Sequence, residues 1–507
     1  MKDTFTQEET QTSVLVLNRR SVMDEKRISR REMLRGLGLT ATGGLLAACA
    51  PKVVKETVIV EASPKVVEVE KVVTAVPEPS ERITVDFMNW WGAHRQPLME
   101  AAIAAFEEEH PNIHVVNALQ PWDNRSERAA TAIASRNPPA VIMTRREETY
   151  KFAQEGLIIP ITDYIEVRGL DLDEIFYASD AANQVWDGKV WSFQLPGDGG
   201  TTSLYLYNKD VFRQAGLDPE TPPETWQELE EACRGVTVFE GEAIKVIGAN
   251  VVQTWAGATA YDFVSWLYCN DGEYVTDDAR TLTFNSAQGI ESLEWMVNFV
   301  TDIYSGYENQ LDFFERMEGI DNPFFDELQA VYFAGTWAFG WMQSSDPDMY
   351  NDPDKWGVAL RPYNSNRPNA THHGVAGLEQ GWGYVISKDL PKELQDAAYE
   401  WIEWWILRDS PKEEGGCKFL FEQAQVSAVK KCNEDPAWYD VNPYWSVVLE
   451  GVETDVSVPI TPVQSQVTGF LAEAVEQALY GQKEPKEALD WAAGKGQEVL
   501  DEFWSKV

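Results

Sequence analysis

The chain has 507 residues, 44% of them hydrophobic and 24% charged, an ordinary balance for a folded protein and enough length for roughly two to four cores. Its 82 acidic and 42 basic side chains leave a formal net charge of −40, and it holds 20 tryptophans. A surface of that sign repels nucleic acid and anionic bilayers, so polyanionic partners are excluded and a neutral or cationic ligand is expected.

The N-terminal region reads as an address. "SRREMLR" (Ser29 to Arg35) sets Arg30 and Arg31 before a short apolar stretch, "GLGLTATGGLLAAC", ending at Cys49. Paired arginines ahead of such a stretch make a twin-arginine type of export signal. The stretch is too short and too rich in glycine to cross a hydrocarbon layer of ~30 Å. "LLAAC" resembles the lipobox of bacterial lipoproteins, which implies that residues 1–49 are a signal and that Cys49 carries a lipid. Met23 is an alternative start. Residues 50–81 repeat Val, Lys, Glu and Pro without an aromatic residue, and so read as a disordered tether. Its reach is about 30 Å on random-coil scaling, which holds a folded body just above a membrane.

That body opens with a strand. "RITVDFMNWWG" (Arg82 to Gly92) alternates Ile83, Val85 and Phe87 before a polar and aromatic loop. A helix follows, with Met99, Ile103 and Phe106 on one face and Pro111 as its stop. "NIHVVNAL" (Asn112 to Leu119) and "PPAVIMT" (Pro138 to Thr144) supply further strands. Strands alternating with helices give an α/β sheet whose ligand groups lie on loops at strand ends. "TSLYLYNKDVFRQAGLDPETPPETWQELEEAC" (Thr202 to Cys233) adds a strand, a short helix and a helix opened by a Thr225/Glu228 capping box. More helices are expected at Ser286 to Tyr304, at Lys392 to Arg408 and in the closing segment. Ala398, Trp401, Ile402 and Trp405 share a face and are assigned to the core. Cys233, Cys269, Cys417 and Cys432 permit three disulfide pairings outside the cytoplasm, of which proximity favours Cys417 with Cys432.

"LYLYNKDVFRQAGLDPETPPETWQEL" resembles a block of the bacterial extracellular solute-binding proteins of family 1, the maltose-binding-protein-like receptors of ABC importers. "GTWAFGWM" (Gly335 to Met342) resembles the family's G-x-W motif. "GVAGLEQGWGYVISKDLPKELQDAAYEWIEWW" (Gly374 to Trp405) and "EPKEALDWAAGKGQEVLDEF" (Glu484 to Phe503) resemble its later blocks. The matches keep their order along nearly the whole mature chain. The resemblance implies an α/β, two-lobe periplasmic-binding-protein-like fold with a hinge and a ligand cleft between the lobes. Matched segments put crossings near Pro196 to Tyr205, His373 to Gly383 and Gln423 to Lys430. The first lobe is then 82–198 plus 380–425, and the second 205–373 plus 430–507. The implied protein is a monomeric, extracytoplasmic receptor without a cofactor. It hands a carbohydrate to ABC permease subunits and does no chemistry.

A sugar offers apolar C–H faces that stack on flat aromatics, and hydroxyls that need fixed donors and acceptors. The stretches "MNWWGAHR", "QPWDNR", "TRREE", "GDGG", "QTWAGATAYD" and "EQGWGY" mix the two. Trp337 matches the family's stacking tryptophan, while Phe339 and Trp341 are expected to pack into the second lobe. Trp91 follows the first strand, and Arg145, with Arg146, follows the third at a position of hydroxyl-binding groups. Asp198 lies among glycines in the first crossing, and Trp255 and Trp382 sit in Gly-flanked loops. The ligand set is therefore Trp91, Arg145, Asp198, Trp255, Trp337 and Trp382.

Two rival readings of the sequence stay open. A binding protein for a cationic solute, a polyamine or peptide, suits the charge. An exported glycoside hydrolase would need two carboxyls ~5 or ~6.5–9.5 Å apart. No nucleophile or metal motif occurs. "DPDKWG" (Asp352 to Gly357) fails as a calcium loop because Trp356 and Tyr363 fall at ligand positions, and His372–His373 reads as a crossing-segment loop.

Overall fold

The computed structural model of the chain describes residues 82–122, 124–195, 203–253, 258–376 and 381–506. Arg30, Arg31, Cys49, the tether, Asp198 and Trp255 lie outside the described residues. The described part belongs to one compact unit and is built on two sheets.

In the first sheet the strand Ile83–Asn89 buries Val85 and Phe87 and exposes Thr84 and Asp86, the alternation its sequence requires. It pairs in parallel with Ile113–Leu119 on one side and with Val141–Thr144 on the other. The connecting helix Gln96–Glu109 buries Met99, Ala102, Ile103 and Phe106 as one stripe against the sheet core. Gly383–Ser387 returns from far along the chain and pairs antiparallel with Val141–Thr144, while Phe193–Gln194 pairs with Gly383 and Tyr384.

The second sheet runs Trp356–Leu360, Leu204–Asn208, Gln329–Tyr332, Ala243–Ala249, Val238–Glu240. Only Gln329–Tyr332 and Ala243–Ala249 are parallel neighbours. The chain thus leaves the first sheet after Gln194, enters the second at Leu204, and regains the first at Gly383. Leu204–Asn208 is a wall between two cores. Its Leu204 and Leu206 face one and its Tyr205 and Tyr207 the other, as a period of two dictates.

Tryptophans fill both cores. On the helix Lys392–Leu407, Trp401 and Trp405 are fully buried, their rings 5.7 Å apart and nearly parallel. Trp226, Trp266 and Trp295 make the second cluster, with Trp226 stacked on Trp295 at 4.3 Å. The helix Trp226–Val236 opens with the expected box: Glu228 N donates to Thr225 Oγ1 at 3.3 Å and Thr225 N donates to Glu228 Oε2 at 3.0 Å.

Cys417 and Cys432 form a disulfide across 15 positions, joining the helix Gly416–Phe421 to the helix Lys430–Asn433. Cys233 and Cys269 are buried thiols, and burial pushes the Cys269 thiol up to about 11.

Trp405→Ala empties a fully enclosed indole site, so the urea midpoint should fall by the equivalent of about 3–5 kcal/mol with the slope unchanged. Reduction of Cys417–Cys432 should cost about 3 kcal/mol, the loop-entropy value for a loop of roughly this size, read from melts with and without reductant.

Candidate functional site

Because its first three strands are parallel, the first sheet presents their C-terminal ends at one edge. The loops there carry Trp90, Trp91 and Arg95 after Asn89, Trp122 and Arg125 after Leu119, and Arg145 to Glu148 after Thr144. Gly383 pairs with Thr144, which brings Trp382 to the same edge from the opposite strand direction.

These groups form a stack of indoles and guanidiniums. Trp382 is buried, with Arg125 at 5.6 Å, Arg145 at 5.4 Å and the Trp122 ring at 5.6 Å from its ring. Trp122 is 50% exposed, and Arg125 lies 4.6 Å over it. A guanidinium over an aromatic face is held by the ring quadrupole. Burial first, and the charge of Arg145 second, lower Arg125 to about 10. Glu148 accepts from the Arg145 backbone N–H at 2.9 Å, closing the start of the helix Arg146–Gln154. Burial pushes the Glu147 carboxyl up, against the pull of Arg145 and Arg125. Arg146 ties the loop to its surroundings, since its Nε donates to Tyr150 Oη at 2.9 Å and its Nη1 to the Val458 carbonyl at 2.8 Å.

The second sheet has a matching edge. Ala249 and Val331 are opposite each other at the ends of the two parallel strands. Tyr304 Oη accepts from Ala249 N at 2.7 Å and donates to its carbonyl at 2.8 Å, which fixes the strand end. Asn250 Oδ1 then accepts from Gln329 Nε2 and Phe333 N, and Gln253 donates twice to the Asp262 carboxylate. A cavity of about 180 Å³ opens here, lined by Asn250, Gln253, Asp321, Tyr332 and Trp341 among others.

Beside it the "GTWAFGWM" run is a helix, Trp337–Ser345. Trp337 and Trp341, four apart, share a partly exposed side and stack at 6.2 Å, and Tyr332 meets Trp337 edge-on. Phe339 points the other way, fully buried near Trp356. The expectation that Trp341 packs inward with Phe339 is therefore corrected: helical rather than alternating geometry puts Trp341 beside Trp337, where its Nε1 donates to Asp321 Oδ1 at 3.2 Å. The helix start is tied to the segment after the helix Gly416–Phe421, with Val426 N donating to Thr336 Oγ1. A Cβ on Gly340 would stand 3.0 Å from Gln423 Cβ, so glycine is what permits this approach.

Groups of the two edges lie near each other: Tyr261, next to Asp262, is among the neighbours of Arg125, and Glu147 is among those of Tyr274, whose phenol burial raises above its ordinary range. Of the residues expected from sequence, Arg145 and Trp382 come together on the first edge and Trp337 stands on the second. Trp91 does not join them. Its ring stacks on Phe419 at 5.5 Å with Arg95 over it, because the chain turns inward after Asn89, whose Oδ1 accepts from Trp91 N. His372 and His373 each meet a backbone carbonyl, those of Arg361 and Thr454. Sequence reasoning missed Trp122 and Arg125 as individuals. Their signal was an aromatic and a cation three apart, just past a strand end.

The model of the bacterial extracellular solute-binding proteins matches residues 91–410. The chain belongs to that family. Among curated relatives, the sn-glycerol-3-phosphate-binding periplasmic protein UgpB of Shigella flexneri is 21% identical over 434 residues, 83% of this chain and 93% of its own. Among solved structures, an ABC transporter solute-binding protein of Thermotoga lettingae bound with α-D-tagatose superposes with a TM-score of 0.67 at 22% identity, covering 83% of this chain and all of that one. The GacH receptor of Streptomyces glaucescens, solved unliganded and with acarbose, gives 0.66 at 20% identity over 82% of this chain and 98% of its own. Maltose-bound MalE3 of T. maritima gives 0.65 at 20% identity over 82% and 99%. The fold is thus the two-lobe α/β solute-binding fold that the sequence implies.

A carboxyl raised by burial adds stability only below its ordinary range and loses that contribution as pH rises through its folded value. Glu147→Gln should therefore raise the melting temperature at neutral pH, with the gain shrinking as pH falls through the raised folded value and gone below about 4.5.

Proposed function

We propose that the protein is the substrate-binding component of an ABC importer, capturing a carbohydrate between its two lobes and delivering it to membrane permease subunits. The observation that carries this reading is the pair of aromatic edges. Trp122 on one sheet, and Trp337 with Trp341 on the other, keep indole surface accessible beside fixed polar groups such as Gln253 and Asp321. Flat apolar faces next to directed donors and acceptors are what a pyranose ring requires. The tagatose, acarbose and maltose bound by the similar proteins support the same ligand class.

The lobes of this reading are 82–198 plus 380–425 and 205–373 plus 430–507, and the division of strands between the two sheets supports them. Trp337, Trp341, Trp122, Trp382 and Arg145 form the proposed ligand set, with Asp198 and Trp255 as further members. A sugar touching both edges favours the closed arrangement, which the permease recognises, by differential contact alone. Export through the twin-arginine signal, lipidation of Cys49 and a monomeric state complete the proposal, and no catalytic step belongs to it.

In calorimetry against a sugar panel, one carbohydrate should bind without turnover. At 100 times its dissociation constant that sugar should stabilise the protein by about 2.7 kcal/mol. Trp337→Ala should weaken it by about 2 kcal/mol, roughly thirtyfold. Unchanged affinity in that variant would remove Trp337 from the site.

A further inference from the structure

We infer that the carbohydrate carries an acidic group, a carboxylate or a phosphate, and that Arg125, supported by Arg145, receives it at the first-sheet edge. The inference rests on the carbohydrate reading and narrows it to a charged subclass, against the neutral or cationic ligand that net charge alone suggests.

Arginine placement at this edge runs against local helix physics. The helix Gln96–Glu109 has Arg95 at its N-cap, Arg125–Ile133 begins with Arg125, and Arg146–Gln154 has Arg145 at its N-cap and Arg146 as its first residue. Helix N-termini carry partial positive charge and favour Asp or Glu, so cations there are unfavourable. Three successive helices accept that penalty at the same edge.

Their partners differ from those of the surface arginines. Arg82, Arg168, Arg367 and Arg408 each contact a carboxylate. Arg95 instead donates to the side-chain amides of Gln423 and Gln425, and Arg125 lies against the indole faces of Trp122 and Trp382. The Arg125 Nε is buried and makes no hydrogen bond within the described residues. Two carboxyls share the loop. Glu148 is engaged by the Arg145 backbone N–H, and burial pushes the Glu147 carboxyl up. In a chain of net charge −40, guanidiniums gathered at one sheet edge can attract an anion locally although the surface as a whole repels it.

A hydroxyl needs one donor. Two cations that repel each other beside a stacking surface are matched better by a group with several acceptor oxygens and a full negative charge, which guanidinium binds with a planar fork. Trp122 and Trp382 would then cover the apolar ring face while the acid reaches Arg125.

The test is calorimetry of the whole protein against matched trios: glucose, glucuronate and glucose 6-phosphate, with the galactose and mannose equivalents. One acidic member should bind about tenfold or more tightly than its neutral counterpart, and rising ionic strength should weaken the acidic member selectively. Arg125→Gln should bring the acidic-to-neutral affinity ratio close to one, and Arg125→Lys should retain part of the preference. Whichever acid binds identifies the anion. Should Arg125→Gln fail to fold, Arg145→Gln should lower the acidic-to-neutral affinity ratio, and the salt series on the unaltered protein gives a second reading of it. Equal or tighter binding of the neutral member, or a preference that survives Arg125→Gln, overturns the acidic-group inference and leaves the carbohydrate reading intact. Binding of none of the trios by a folded protein that binds a neutral oligosaccharide overturns the acidic-group inference alone, and binding of neither the trios nor any neutral oligosaccharide overturns both.

Discussion

Parallel pairing of Ile83–Asn89 with both of its neighbours is the constraint from which the site follows. Parallel strands need a crossover, here a helix, and each crossover returns the chain so that all three strands end at the same edge. Loops that are distant in sequence, at Trp91, Trp122 and Arg145, are thereby adjacent at one end of a rigid sheet. Antiparallel Gly383–Ser387 adds Trp382 to that end because it starts where its neighbour stops. The second sheet repeats the device with only two parallel strands, and there Tyr304 holds the strand end from both of its hydrogen-bonding sides.

Much of this was legible in the sequence because the relevant rules are local. Alternation marked the first strand, the stripe Met99, Ile103, Phe106 marked the first helix, and the Thr225/Glu228 box marked another helix start. Trp401 and Trp405 read as core because four-residue spacing puts them on one buried face. What stayed hidden needed tertiary information. "GTWAFGWM" alternates large and small residues and so suggests two opposed sides with a period of two. The backbone is helical, which pairs Trp337 with Trp341 and sends Phe339 inward. Trp91 and Trp382 are tryptophans in similar loop settings and are buried alike. Their neighbours separate them: Phe419 and Tyr384 around one, Arg125 and Arg145 around the other. No pattern within either stretch encodes that difference.

Composition speaks of the whole surface and not of one site. A net charge of −40 is a sum over the whole surface, whereas a ligand feels the potential of the recess it enters. The acidic residues are spread over exposed helix faces, several in pairs four apart with lysine, where solvent screens them. The arginines at the first-sheet edge lie against indoles instead, Arg125 over Trp122 and Trp382 and Arg145 over Trp382.

The disulfide has a mechanical meaning as well. Cys417 and Cys432 bracket the segment that contains Gln423, Gln425 and Val426, which are the contacts of Arg95 on one side and Thr336 on the other. The covalent clasp keeps the two ends of that strap together, so the strap moves as a short, stiff link. A covalent closure at this place limits how far the contacts of Arg95 and of Thr336 can separate from each other along the strap.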